Sequence, residues 1–336
     1  MTQGGSDENS ILKRIAGGAA GATQNLFGHG IHIGIGDDAA IFRSKAGYET
    51  ILTCDWFLEG THFLRDRHPP DAVGWKCLAR AVSDVAAMGG APRCFLLSLA
   101  LPESHTGRWL DEFLGGLRRA ARKLDCVLAG GDTTSHREIL ISVTVVGEAP
   151  KMRVLLRSGA RPGDVVYASG RLGEAELGLR ILRKNKGRGN ARNQLVKKHF
   201  YPHPRLALGQ WLCDRRLATA MMDLSDGLSS DLPRLCAASG VGARVESAKI
   251  PRVQIPHPNR KLGLDSLQLA LHGGDDYELL FTVPPGKANR VPASFRGLPL
   301  TAIGRITKKQ KLVLLDEHGH EQLLSAGGWD PFRTMR

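Results

Sequence analysis

Residues 49–55, ETILTCD, followed by residues 69–89, PPDAVGWKCLARAVSDVAAMG, carry the two periodicities from which the fold is read. The first is a β-rich run bounded by turn signals and predicts a strand. In the second, Val73, Cys77, Leu78, Ala81, Val82 and Val85 recur at helical spacing, with prolines at the start and Gly89 just past the end, so it predicts a helix. Outward from this pair, residues 106–124, TGRWLDEFLGGLRRAARKL, predict a second helix in spite of two adjacent glycines. Residues 126–132, CVLAGGD, and 139–147, ILISVTVVG, predict two more strands. Alternation of strands and helices over residues 31–147 is an α/β pattern.

A second series begins after Pro150. RSGARPGD, residues 157–164, is a turn-rich connector, and VVYASG, residues 165–170, opens a new strand. At 336 residues the chain exceeds the size at which single cores stop growing, so two domains are expected, residues 1–150 and 151–336. With 42% hydrophobic and 24% charged residues the composition is that of a globular protein, not a disordered or fibrous one. The longest largely apolar stretch, Cys94 to Leu101, is far too short to span a bilayer, which predicts no membrane segment. MTQGGSDENS lacks the basic start and apolar run of a secretory signal, so a cytoplasmic location is expected. The six cysteines form no CxxC pair, which argues against zinc ribbons and predicts reduced, mostly buried thiols.

The net charge of +13 invites a polyanion partner. Nine basic residues and no acidic one lie between Leu177 and Cys213, however, centred on RKNKGRGNARN, a glycine-containing stretch expected to be a surface loop between two helices. No aromatic residue lies within that central stretch, as base stacking would require, so nucleic acid is not the expected partner.

Chemistry is carried by aspartates at the predicted strand ends and turns: Gly34-Ile-Gly-Asp37-Asp38, Thr53-Cys54-Asp55, Gly130-Gly131-Asp132-Thr133, Asp223-Leu-Ser225-Asp226-Gly227 and Gly273-Gly274-Asp275-Asp276-Tyr277-Glu278. Singly, each is as well explained by a turn or a helix cap. Asp84 is the exception, because it falls near the C-terminal end of a mostly apolar helix, where the macrodipole disfavours negative charge. Together, carboxylates and glycines suit a magnesium-nucleotide site, with oxygen ligands for hard cations and backbone N–H groups for phosphate. The P-loop, protein-kinase, GxGxxG, GxSxG and HExxH signatures are all missing.

GIGDDAA, TCDWFLEGTHF, KCLARAVSDVAAMGGAP, AGGDTT, LLRSGARPGD, MDLSDGLSSDL, GGDDYELLF and GGWDPF follow one another in an order that resembles the thiamine-monophosphate kinase family, of the aminoimidazole-ribotide-synthetase-like superfamily. The resemblance spans roughly residues 8 to 332. It implies a two-domain α/β (α+β) fold: an N-terminal mixed sheet with helices, binding ATP and Mg2+ and dimerising through its sheet, and a C-terminal α/β domain completing the nucleotide and substrate site. It implies ATP as co-substrate on several Mg2+ ions, thiamine monophosphate as acceptor, and a homodimer. Carried over by motif, Asp38, Thr53, Cys54, Asp55, Asp84, Asp132, Asp223 and Asp226 would be metal positions, with Thr53 and Cys54 giving side-chain or backbone oxygen. Gly131, Arg157 and Ser225 would hold ATP, and His62, Asp275, Trp329 and Phe332 would hold the substrate. Asp226 and Arg157 would be the catalytic groups. Cys54 stands where the family usually has Thr, and Asp275 where it usually has Glu.

Other readings stay open at this stage. His62 could cap a turn, Asp231 could be an N-cap or a supporting group, and Trp329 and Phe332 could simply tie down the C-terminus. Selenophosphate synthetase carries a reactive Cys in an N-terminal glycine-rich loop, and no Cys precedes Cys54 here. Aminoimidazole ribotide synthetase is disfavoured by DLSDG and GGDDYE. A non-catalytic polyanion binder is opposed by the acidic set, since carboxylates repel phosphate unless metal intervenes.

Overall fold

Both predicted helices and all the predicted strands form. A computed structural model describes residues 8–20, 26–35, 38–184 and 193–332. Gly36 and Asp37 of the first acidic motif, and residues 185–192 of the basic stretch, lie outside the described residues. The chain divides into two compact units, the first reaching Val85 and resuming at Gly90–Lys151, the second holding Ala86–Gly89 and the described residues from Met152 onward.

The first unit runs α1 (Glu8–Ala20), β1 (Ile31–Ile33), β2 (Ile41–Phe42), β3 (Tyr48–Leu58), α2 (Pro70–Ala87), β4 (Ala91–Leu101), α3 (Arg108–Leu124), β5 (Val127–Ser135) and β6 (Leu140–Pro150). Its main sheet has the order β3-β6-β4-β5, with β4 and β5 parallel and the other pairs antiparallel. Period-two alternation decides the two faces. Ile51, Thr53, Asp55 and Phe57 of β3 point to the side on which α2 lies; Leu52, Cys54 and Trp56 point the other way and are exposed. The six apolar positions that predicted α2 are all buried, which is why the helix forms where its spacing says.

The strands run further than the sequence reading placed them. Thr53-Cys54-Asp55 is not at a strand end, because β3 pairs with β6 without interruption from Tyr48 to Leu58. Asp132 likewise does not follow its strand, since β5 stays paired with β4 as far as Ser135. Asp223 is also in a strand. Polar and acidic residues are tolerated there because the partner strand satisfies the backbone regardless of the side chain.

The second unit contains β7 (Val165–Ser169), α4 (Glu174–Lys184), α5 (Gln194–Phe200), α6 (Leu206–Asp214), β8 (Ala220–Leu224), α7 (Leu228–Ser239), β9 (Gly242–Glu246), α8 (Ser266–His272), β10 (Glu278–Val283), α9 (Pro285–Ala288), β11 (Ser294–Phe295), β12 (Leu298–Thr307), β13 (Leu312–Leu315) and β14 (Glu321–Leu323). Its sheet has the order β14-β13-β9-β12-β7-β10-β8, with β11 paired to β12. Strands β7, β8 and β10 are buried along their whole length, as strands covered on both faces are. On one side lies an apolar cluster including Val166, Met222, Leu228, Leu232 and Leu280; on the other lies one including Tyr167, Leu208, Leu212, Met221 and Phe281.

All six cysteines are free and five are buried. Burial pushes the thiols of Cys77, Cys94 and Cys236 up to about 12, so they act as packing groups. Among the described residues no helix is long and apolar enough to cross a membrane.

Candidate active site

In the first unit the acids separate by sheet face. Thr53 Oγ1 donates a 2.5 Å hydrogen bond to Asp84 Oδ2, which ties β3 to the last turn of α2. One turn earlier on α2, Arg80 stands 3.7 Å from Asp55 and lies over the Phe57 ring. Thr53, Asp55 and Asp84 therefore share one side of the sheet. Cys54 does not. Its Sγ accepts from Thr144 Oγ1 at 3.4 Å and lies 3.3 Å from Ser142 Oγ, on the opposite face. A metal beside Asp84 could meet only the Cys54 main chain, so the loss of a hydroxyl at this position removes nothing from that face. Asp132 is paired with Ser98, whose neighbour on β6 is Ser142, so it too points to the open face. Its carboxylate is exposed and accepts from the Thr133 N–H. Asp38 is exposed.

Gly131 has a structural need of its own. Its φ is +154°, and a Cβ there would be driven into the Leu97 carbonyl of β4. His62 does cap a turn: its Nδ1 accepts from the Leu58 N–H at 3.0 Å while its own N–H donates to the Leu58 carbonyl.

In the second unit two acidic motifs meet. DLSDG leaves β8 and GGDDYE enters β10, and these strands pair, with Leu224 opposite Glu278 and Asp223 opposite Leu279. The pairing continues beyond the strands, for Asp275 N–H donates to Ser225 O and Tyr277 N–H to Leu224 O. Gly227, with φ +98°, allows the close approach; a Cβ there would press on the Leu271 and Gly273 carbonyls. Asp275 is left-handed, with φ 68°, a conformation short Asp adopts more readily than Glu. Tyr277 OH donates to its Oδ1 at 2.8 Å, and the buried His199 ring stands 3.7 Å from Oδ2.

The C-terminal segment lies on the same loop. The N–H groups of Gly327, Gly328 and Trp329 donate to Ser229 Oγ, Ser230 Oγ and Asp226 O respectively. Trp329, 38% exposed, is thereby held beside Asp226, whereas Phe332 is 95% exposed with its N–H given to Asp330. Of the two C-terminal aromatics, Trp329 is the one fixed at the acidic loop. Arg157 is exposed, and its guanidinium makes no ion pair or hydrogen bond among the described residues. It is chemically available to an anion.

Three acids support these loops; a supporting role for Asp231 was open from the sequence, and the roles of Glu278 and Asp276 were not. Asp231, fully buried, accepts the N–H groups of Ser225 and Asp226, and burial pushes its carboxyl up to about 6 against their pull. Glu278 is buried, accepts from Ser169 Oγ and is clamped by the Arg205 guanidinium. Asp276 accepts the N–H groups of Gly173 and Ala175 at the start of α4, capping that helix from 103 and 101 residues away in sequence. Burial outweighs those bonds, and the charges of Glu278 and Glu174 add to it, so its carboxyl is pushed up to about 8.

A raised carboxyl makes stability fall as pH rises. Below the ordinary carboxyl range Asp276 is protonated in both folded and unfolded chains; above it only the folded chain retains the proton, until that advantage is spent near pH 8. Equilibrium denaturation at about pH 6, 7.5 and 9 is expected to show Asp276→Asn, which cannot ionise, losing less stability across that span than the native chain. Parallel profiles would contradict the raised carboxyl.

Among the described residues no three His, Cys, Asp or Glu side chains stand together as a ready-made metal cage. The donors present are carboxylate and hydroxyl oxygens, the chemistry of a hard cation. Magnesium is commonly held by one or two carboxylates, with water and substrate phosphates completing the octahedron. Small acidic sets such as Thr53 with Asp84 fit that requirement; they do not fit an all-protein calcium or zinc site.

Two families match the chain in succession: AIR synthase related protein, N-terminal domain, over residues 36–149, and AIR synthase related protein, C-terminal domain, over residues 161–317. Thiamine-monophosphate kinase of Escherichia coli (strain K12) is 37% identical over 310 residues, which cover 90% of this chain and 93% of the relative. The crystal structure of thiamine-monophosphate kinase from Stenotrophomonas maltophilia K279a superposes with a TM-score of 0.78 at 35% identity, covering 90% of this chain and 95% of that one. AaThiL complexed with AMPPCP and TMP gives 0.76 at 35% identity, covering 89% and 92%.

Proposed function

From the premise that the chain belongs to the AIR synthase related family, and within it to the thiamine-monophosphate kinases, we propose that it transfers the γ-phosphoryl group of ATP to thiamine monophosphate, yielding thiamine diphosphate and ADP. The observation that carries this reading is the near full-length similarity to AaThiL, which was captured with AMPPCP and TMP together.

The acceptor is already an oxyanion at neutral pH, because a phosphate monoester has its second pKa near about 6. No general base is needed, and transfer reduces to alignment and charge neutralisation. Bound Mg2+ would supply that neutralisation. In the first unit Asp38, Thr53, Asp55, Asp84 and Asp132 are the proposed metal positions, with Cys54 contributing main-chain oxygen. In the second unit they are Asp223 and Asp226. Arg157, exposed and with no guanidinium partner among the described residues, is suited to fork onto phosphate, and the Gly131 and Ser225 backbone to approach nucleotide. Asp275 and Trp329, both fixed to the Ser225–Asp226 loop, are suited to the cationic thiamine rings. His62 and Phe332 complete the proposed substrate set.

The open sheet face of the first unit exposes Leu52, Trp56 and Leu96, and its burial against a second copy is the proposed dimer contact. A cytoplasmic location completes the reading.

The test is purified protein with Mg-ATP and thiamine monophosphate, with free thiamine as control. Thiamine diphosphate is expected from the monophosphate alone, from a preparation that sediments as a dimer. No product at any magnesium concentration would sink the kinase assignment, and a sedimenting monomer would remove the dimer.

A further inference from the structure

Asp226, one of the proposed metal positions, already has a cation. Arg234, in the second turn of α7, places Nη1 against both Asp226 Oδ2 and Asp231 Oδ1, the second contact at 2.8 Å. Its side chain is 44% exposed, so the guanidinium can swing into water without opening the core. Asp231 cannot move in this way. It is fully buried, and its Oδ2 accepts the Asp226 N–H at 3.0 Å and the Ser225 N–H at 3.1 Å. The Asp226 main chain is pinned a second time by the Trp329 N–H on its carbonyl.

These contacts divide the labour. The Asp226 backbone is fixed on two sides by bonds that need no metal, and the Asp226 carboxylate is held by one mobile cation. We propose that Asp231 is a positioning residue for the Ser225–Asp226 loop, and that Arg234 is a displaceable counter-ion which occupies Asp226 until a divalent cation takes its place. The inference rests on the metal role proposed for Asp226. It goes beyond that role by assigning the apo state of the loop and a competition between an internal and an external cation. The physical need is plain: an unpaired carboxylate at Asp226 beside buried Asp231 would strain the loop through like-charge repulsion. An exchangeable guanidinium removes the repulsion without blocking the metal, because a half-exposed ion pair is worth only about 1 kcal/mol.

The competition is measurable apart from turnover. Mn2+ alone is titrated into the full chain and free Mn2+ is read by electron paramagnetic resonance. Arg234→Gln is expected to tighten Mn2+ about fivefold, the equivalent of removing one such competing pair. Arg234→Lys, which keeps the charge, should bind nearly as the native chain does. In an Asp226→Asn background the Arg234→Gln gain should vanish. In kinetics, Arg234→Gln should lower the half-saturating Mg2+ concentration while leaving the KM for thiamine monophosphate unchanged.

Unchanged or weaker Mn2+ binding in Arg234→Gln overturns the counter-ion, as does an equal gain with and without the Asp226 carboxylate. A raised acceptor KM with unaltered Mn2+ affinity also overturns it and assigns Arg234 to substrate instead. The underlying reading fails differently: Asp226→Asn alone would then leave both Mn2+ binding and turnover as in the native chain.

Discussion

Asp84→Asn is expected to lower turnover of thiamine monophosphate by about a thousandfold while leaving the protein as stable as before or slightly more so. Asparagine keeps an oxygen able to accept the Thr53 hydroxyl, so the tie between β3 and α2 survives. What disappears is a negative charge in the last turn of α2, a turn that carries no basic residue. That charge opposes the helix macrodipole, and its removal is worth a few tenths of a kcal/mol to about 1 kcal/mol of stability. Opposite signs for activity and stability are the signature of a group kept for its ligand. Turnover within about tenfold of native, or a stability loss accompanying the activity loss, would remove Asp84 from the metal set. Thermal denaturation and steady-state rates on one preparation decide between these.

The second large effect separates two adjacent glycines. Gly116→Ala is expected to destabilise the first unit by about 3 kcal/mol or more, whereas Gly115→Ala should stabilise it by roughly 0.5 to 1 kcal/mol. A Cβ at position 116 would be driven into the Asp71 carbonyl at the start of α2, and reciprocally a Cβ at Gly74 would meet the Phe113 carbonyl of α3. The two helices cross there backbone to backbone, so overpacking has no flexible side chain to move. At Gly115 the nearest atom to a new Cβ is the Arg119 guanidinium at 3.8 Å, and only the ordinary helix preference for alanine remains. Urea denaturation of both variants tests the contrast; shifts of the same sign would refute the crossing.

The helices and strands were legible because their signals are local. Val73, Cys77 and Val85 repeat with the helical period, and the β-branched run of residues 139–147 has no competing pattern. The ends of β3 and β5 were less so, since Cys54, Asp55 and Asp132 look like turn residues until the partner strand is known to continue beside them. The acidic residues were recognisable as a set through the order of their motifs, a property of the chain read end to end. Their arrangement was not. Cys54 and Thr53 are neighbours in sequence and lie on opposite faces of the sheet, because a strand alternates.

Sequence alone determined the α/β class, the family and the residue types available to a hard cation, all of which follow from local periodicity, turn chemistry and motif order. Tertiary structure decided which acids share a face, which glycine cannot change, and which charges are already answered. Glu278 with Arg205, Asp276 on the start of α4, and Gly116 against Asp71 each depend on a partner that no spacing rule reveals. The physical reason is common to all three: hydrogen bonds and steric exclusion act over a few ångströms in space, and that proximity is created only when the sheet registers and helix crossings are formed.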